Sequence, residues 1–169
     1  MSGQFHPSRR AMLKVGLAGA ATVASPAVLR LGAKAETGPI KIGLPLALTG
    51  ALGSVGQQQK RGAELYAKLQ NAKGGILGRP IELLIEDTAG NPANCVRKAQ
   101  EMVERLDCRL LTGITLSSEA LAVVPKLAEW DAIFISSDNG DGRLTAESLV
   151  PNFFRANISG PMGTRAVSL

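Results

Sequence analysis

Two adjacent serines, Ser117 and Ser118, stand where a helix is expected to begin, close behind Gly113. Hydroxyls and the unpaired N–H groups of a helix start converge there on one spot, which favours an anion such as a ligand carboxylate. The simpler alternative is that one serine merely caps the helix. A second polar cluster, Asp138, Asn139, Asp141 and Thr145, surrounds Gly140 and Gly142. A calcium loop would need a longer run of alternating oxygen ligands and a closing Glu. Turn chemistry is therefore the default there, and ligand contact by Asp138 or Asn139 is the sharper reading. Glycines at 50, 53 and 56 form a third candidate. A dinucleotide fingerprint needs G-x-G-x-x-G, whereas the spacing here is G-x-x-G-x-x-G with Leu52 in a crowded position. Glu86 and Asp87 end a strand, where a ribose-binding acid could sit. A tight turn before a helix explains the same glycines.

Other chemistries are excluded by what is scarce. The only histidine is His6, inside a segment expected to be removed. A mature chain without His lacks the commonest general base and metal ligand, so Ser-His-Asp and Cys-His catalysis are ruled out within it. The two cysteines, Cys95 and Cys108, cannot make a structural zinc site without further ligands. If helix lies between them they sit about 15–20 Å apart along it, far beyond disulfide reach. Two separate buried thiols are expected. The 169-residue chain carries 19 basic and 14 acidic residues, net +5. Residues 1–35 hold Arg9, Arg10, Lys14, Arg30 and Lys34 and no acid, so the remainder balances at 14 of each sign. The basic footprint of a nucleic-acid binder therefore leaves with the first 35 residues.

The elements that must position these residues follow from periodicity. Short apolar runs, Ile40 to Leu46, Ile81 to Glu86, Leu110 to Thr112 and Ala132 to Ser136, read as strands, with a fifth at Asn152 to Arg155. A Gly-rich loop spans 49–56, then Gly62, Leu65, Tyr66 and Leu69 recur at helical spacing. Asn91 caps and Pro92 opens a second helix, whose stripe is Val96, Ala99, Met102, Val103 and Leu106. Ser117 or Ser118 caps a third, with the stripe Ala120, Val123, Val124 and Leu127 and a kink at Pro125. A last helix begins near Pro161 and shows no C-terminal stop signal by Leu169. Apolar strands alternating with amphipathic helices give an α/β fold, a doubly wound parallel sheet covered on both faces. Ligands bind such sheets beyond the carboxyl ends of the strands. The loops there are 49–56, 87–91, 113–118 and 136–142.

Ser8-Arg9-Arg10-Ala11-Met12-Leu13-Lys14 resembles the twin-arginine (Tat) export motif, with Met12 in place of the aromatic residue. An Ala- and Gly-rich apolar stretch, Val15 to Leu29, follows; its roughly 15 residues are too few to span a membrane. Ala33-Lys34-Ala35 offers a cleavage site, with Ala27 as the alternative. Residues 1–35 are thus expected to be a Tat signal peptide, read by the Tat machinery, and no Cys before residue 95 could carry a lipid. The expected location is the periplasm, as a soluble protein.

From about Ile40 onward the chain resembles the leucine/isoleucine/valine-binding family of extracytoplasmic solute-binding proteins. Asn71-Ala72-Lys73-Gly74-Gly75-Ile76-Leu77-Gly78-Arg79-Pro80-Ile81 is the most specific stretch. Leu48-Thr49-Gly50, Gly62-Ala63, Asp87 with Asn91-Pro92, and Gly113 followed by Ser117-Ser118 support it. The resemblance implies a type I periplasmic-binding-protein fold, with residues 36–169 as its amino-terminal lobe and the second lobe outside this sequence. It implies a substrate-binding component of an ABC importer that delivers a small carboxylated solute, such as a branched-chain amino acid, to a membrane permease. It implies no cofactor, no enzyme activity and no nucleic-acid partner. In that family a serine four residues after the strand-end glycine grips the carboxylate, which here is Ser117, with Ser118 beside it. The segment after the fourth strand contacts the amino-acid head group. Here Ser137-Asp138-Asn139-Gly140 replaces a small-residue run ending in Thr, so Asp138 adds a charge that could face an ammonium group. The competing reading is an exported NAD(P)-dependent oxidoreductase, which the glycine spacing and the lack of a Tyr-x-x-x-Lys pair oppose.

Overall fold

The computed structural model describes residues 38–168. The proposed signal peptide, its cleavage sites and His6 lie outside the described residues. Strand β1, Ile40–Leu46, leads through helix α1, Gly53–Ala72, to β2, Ile81–Asp87. Helix α2, Pro92–Leu106, leads to β3, Leu110–Gly113, and helix α3, Ser117–Val123, to β4, Ile133–Ser136. Strand β5, Phe153–Arg155, and helix α4, Gly160–Val167, complete the chain. All pairings are parallel, and the sheet order is β2-β1-β3-β4-β5. The winding reverses between β1 and β3, so the topological switch point lies between their carboxyl ends.

Local signals explain several elements. The Asn91 side chain accepts from Asn94 N–H at 3.0 Å, and Pro92 takes the first helical position of α2. Pro125 ends α3: regular helix stops at Val123 and a 3-10 turn, Val124–Lys126, follows. The expected stripe Ala120, Val123, Val124 and Leu127 is fully buried. It packs with Cys95, Ala99, Met102 and Val103 of α2 and with Leu111, Phe134 and Phe153 of the sheet. The Phe134 and Phe153 rings lie 5.4 Å apart and tilted. Both cysteines are free and buried within this core, where desolvation raises their pKa values.

Two expectations need correction, and one that holds needs sharpening. The loop drawn over 49–56 ends early, because α1 begins at Gly53. Gly56 lies in its first turns, packed so tightly that a Cβ would sit 2.0 Å from the Ala47 carbonyl oxygen. That is a helix–strand contact only glycine permits, in place of a turn. The expected helical spacing of Leu65, Tyr66 and Leu69 holds, with these three exposed and Ala67 supplying a buried contact of α1. The second correction is that the two sheet faces are unequally covered. Gly43 faces Met102 and Cys108 of α2, whereas its neighbours Ile42 and Leu44 face Ala63 and Tyr66 of α1 across a cavity of about 350 Å³. Among the described residues only α1 covers this second face, and Ile133, Ile135 and Phe154 on the far strands remain exposed. No helix of the described residues is long and apolar enough to cross a membrane.

Candidate functional site

At the carboxyl edge of the sheet, Asp87 organises the first crevice wall. Its Oδ1 accepts from the N–H groups of Leu48 at 2.9 Å, Thr49 at 3.3 Å and Ala89 at 2.8 Å, and its Oδ2 accepts from Thr49 Oγ1 at 2.6 Å. Hydrogen bonding to the Thr49 hydroxyl, joined by these backbone donors, holds the carboxyl below its ordinary value. Asp87 is thereby a clamp between the loops after β1 and β2. Glu86 is also committed, to Lys98 at 2.6 Å. Neither acid is left for a ribose, and with Gly56 used in packing, the site does not fit a dinucleotide.

The switch point is closed by a polar chain that the sequence did not reveal. Ala47 N–H donates to Thr115 Oγ1 at 3.0 Å, across the crevice between β1 and β3. Thr115 Oγ1 in turn donates to Gln59 Oε1 at 2.9 Å, and Gln59 Nε2 donates to Asp138 Oδ2 at 3.2 Å. The bonded partners lie 56 to 79 residues apart in sequence, so no local motif could have announced Gln59 or Thr115.

The loop after β3 turns through two left-handed residues, Gly113 at φ 76° and Ile114 at φ 52°. Such a φ is costly for a β-branched residue. The buried Asn139 side chain holds it in place, donating from Nδ2 to the Ile114 carbonyl at 2.8 Å. Its Oδ1 accepts from the buried Ser136 hydroxyl at 3.0 Å. The Arg155 guanidinium binds the backbone carbonyls of Asn139 and Asp141. Asn139 is only 1% exposed, so its side chain ties the β3 and β4 loops together, while Ser137 and Asp138 beside it face solvent.

The turn at Ile114 leads into α3. Neither serine is the cap; Leu116 holds that position, and Ser117 and Ser118 form the first helical positions. Leucine has no oxygen to offer, so the helix start has no side-chain cap on its N–H groups. Ser117 Oγ accepts from Asp141 N–H at 3.3 Å, which joins the two loops and leaves its own proton free to donate. Ser118 is exposed. Glu119 is fully buried: one oxygen accepts from Leu116 N–H at 3.2 Å, and the other has no partner among the described residues. At the rim, Arg143 pairs with Asp141 at 2.7 Å and holds that carboxyl down at about 2. No group of three or more His, Cys, Asp or Glu suited to a metal occurs among the described residues.

Hydrogen bonds thus tie the loop after β3 to the loop after β4, through Thr115 and Gln59 to Asp138, through Ile114 to Asn139 and through Ser117 to Asp141, while Ser118 stands exposed. Comparison with known proteins agrees with this architecture. The family model described as periplasmic binding protein matches residues 39–167. A Leu/Ile/Val-binding protein homologue from Brucella melitensis is 32% identical over 123 residues, covering 73% of this chain and 33% of its own length. Among solved structures, the substrate-binding protein of a branched-chain amino acid transporter from Streptococcus pneumoniae, in complex with isoleucine, superposes with a TM-score of 0.67 at 25% identity. That match covers 72% of this chain and 34% of the other. A solute-binding protein of an ABC transporter from R. palustris, in complex with benzoate, gives 0.69 at 27% identity, covering 76% and 35%. The chain spans about a third of the length of these relatives. With most of its described residues matched and its sheet order and crevice in place, the chain belongs to the periplasmic binding protein family.

Proposed function

We propose that this chain is the amino-terminal lobe of the substrate-binding component of an ABC importer, and that the complete protein captures a small carboxylated solute for a membrane permease. The observation that carries this reading is the uncapped start of α3, where Ser117 presents a free hydroxyl proton beside helix N–H groups. Such a spot binds an anion, and the crevice offers it at the switch point where ligands of doubly wound sheets sit. Isoleucine and benzoate, bound by two structural neighbours, share only a carboxylate and an apolar body. A branched-chain amino acid is the solute class we favour. The second lobe would close over the ligand by hinge motion, so the whole protein is the object to test. We further propose that residues 1–35 act as a Tat signal and deliver the protein, without a lipid anchor, to the periplasm.

A thermal-shift screen of the full-length protein against leucine, isoleucine, valine and benzoate, each beside the amide that lacks its carboxylate charge, tests the reading. Stabilisation by a carboxylate and not by its amide is expected. Equal shifts for acid and amide, or no shift with any compound, would contradict it.

A further inference from the structure

Asn139 and Gly140 form the only Asn-Gly pair in the sequence. Such a pair is chemically fragile in a mobile chain, because glycine has no side chain to shield the asparagine amide from the next backbone nitrogen. The Gly140 nitrogen attacks Asn139 Cγ. The N–Cγ bond forms, the Cγ–Nδ2 bond breaks, and ammonia leaves with the Gly140 amide proton. Water then opens the cyclic imide to aspartate or isoaspartate. The fold does not require glycine at 140. Its φ lies outside the left-handed region, and a Cβ there would meet only the Gly160 nitrogen, at 3.8 Å. What the fold does is immobilise Asn139, which is 1% exposed. Its Nδ2 donates to the Ile114 carbonyl at 2.8 Å, and its Oδ1 accepts from the Ser136 hydroxyl at 3.0 Å. Its N–H donates to Ser136 Oγ at 3.3 Å, and its carbonyl accepts from Arg155 and from Asn157 Nδ2. Gly140 is held on its other side, where its carbonyl accepts from Gly160 N–H at 2.7 Å. Every polar group of Asn139 is thus engaged. Ring closure needs the side chain to leave this cage, so the reaction follows the open fraction of the loop.

We propose that Asn139-Gly140 is a deamidation site that the folded loop after β4 keeps silent, and that local opening converts it, irreversibly breaking the Asn139–Ile114 tie between the β3 and β4 loops. A carboxylate at 139 has no N–H to give the Ile114 carbonyl, and isoaspartate adds a carbon to the main chain of the loop. Ile114 then loses the donor that holds its left-handed turn, and a charge is left in a buried place. The neighbouring Asp141-Gly142 pair could close the same ring by losing water. Arg143 keeps that carboxyl ionised, and a carboxylate is a poor target for an amide nitrogen. The chemistry therefore concentrates on Asn139. It stands independently of which solute the protein captures.

The test follows conversion at Asn139 by peptide mass spectrometry, with the full-length protein incubated native and in guanidinium chloride at one mildly alkaline pH. The native rate is expected to be lower by about tenfold or more. Ser136→Ala removes the hydroxyl that engages Asn139 Oδ1 and N–H. It should raise the native rate about threefold or more and leave the rate in guanidinium unchanged. Asn157→Ala, which removes a donor to the Asn139 carbonyl, acts in the same direction and serves if Ser136→Ala fails to fold. Gly140→Ala, which the backbone tolerates, should suppress conversion in guanidinium. Asn139→Asp reproduces the product and should melt about 3 °C or more below the wild type. Equal rates in the native and unfolded protein, no conversion in guanidinium, a native rate that neither Ser136→Ala nor Asn157→Ala raises, or an Asn139→Asp variant that melts with the wild type overturns the proposal.

Discussion

At the scale of single residues, the site is a set of carboxylates given different tasks by their surroundings. Asp87 spends both oxygens on Leu48, Thr49 and Ala89, so it fixes loops and cannot serve a ligand. Asp141 is neutralised by Arg143 at the rim. Asp138 is exposed and engages Gln59 through one oxygen, and Ser117 keeps a proton to donate. The clamp at Asp87 carries a pH signature. Its folded pKa lies below its ordinary value of 3.8, so its contribution to stability is complete at neutral pH. That contribution is lost only as pH falls below the ordinary value and through the lowered one. Asp87→Asn should therefore be less stable at neutral pH and should lose less stability than the wild type on acidification below about pH 4. Parallel stability curves for the two proteins, from urea titrations at several pH values, would contradict the clamp. The place of Ser117 at the start of α3 could be read from the sequence because a glycine, a short turn and a serine pair are local. Gln59 and Thr115 could not: they lie 56 residues apart and meet only because β3 pairs beside β1.

At the scale of elements, the helices most legible in advance were those with explicit caps. Asn91 with Pro92 marked the start of α2, and Pro125 marked the end of α3. Helix α1 starts inside the stretch that the sequence suggests is loop, because Gly53 and Gly56 look like loop glycines. Their reason is tertiary: the first turns of α1 press against the end of β1. This separates two glycines of one helix that sequence alone treats alike. Gly56→Ala forces a Cβ against the Ala47 carbonyl and should cost about 1–3 kcal/mol. Gly62→Ala meets nothing within 4 Å and should gain about 0.5–1 kcal/mol from helix propensity. Denaturant titrations of the two variants check this, and equal effects would show that α1 does not dock as described. The helical spacing of Leu65, Tyr66 and Leu69 was visible, yet spacing cannot say what a face meets. Here the face is exposed above a partly covered sheet.

At the scale of the molecule, one sheet face is packed with the core of α2 and α3, while the other carries α1 and then Ile133, Ile135 and Phe154 open to solvent. Parallel sheets are ordinarily buried on both faces. A chain spanning about a third of its relatives' length is therefore tested for function as part of the full-length protein. Delivery is a separate question at this scale. Replacing Arg9 and Arg10 together by Lys should leave the protein in the cytoplasm if the Tat signal is real, whereas undiminished periplasmic recovery would assign export to another route. The central claim is that the uncapped start of α3 binds a ligand carboxylate. Calorimetric titration of the full-length protein and its Ser117→Ala variant with L-leucine and benzoate tests it most directly. Binding of at least one ligand that weakens by about 1–3 kcal/mol on loss of the hydroxyl is the predicted result. Unchanged affinity in the variant, or no binding of either ligand to the wild type, would contradict it.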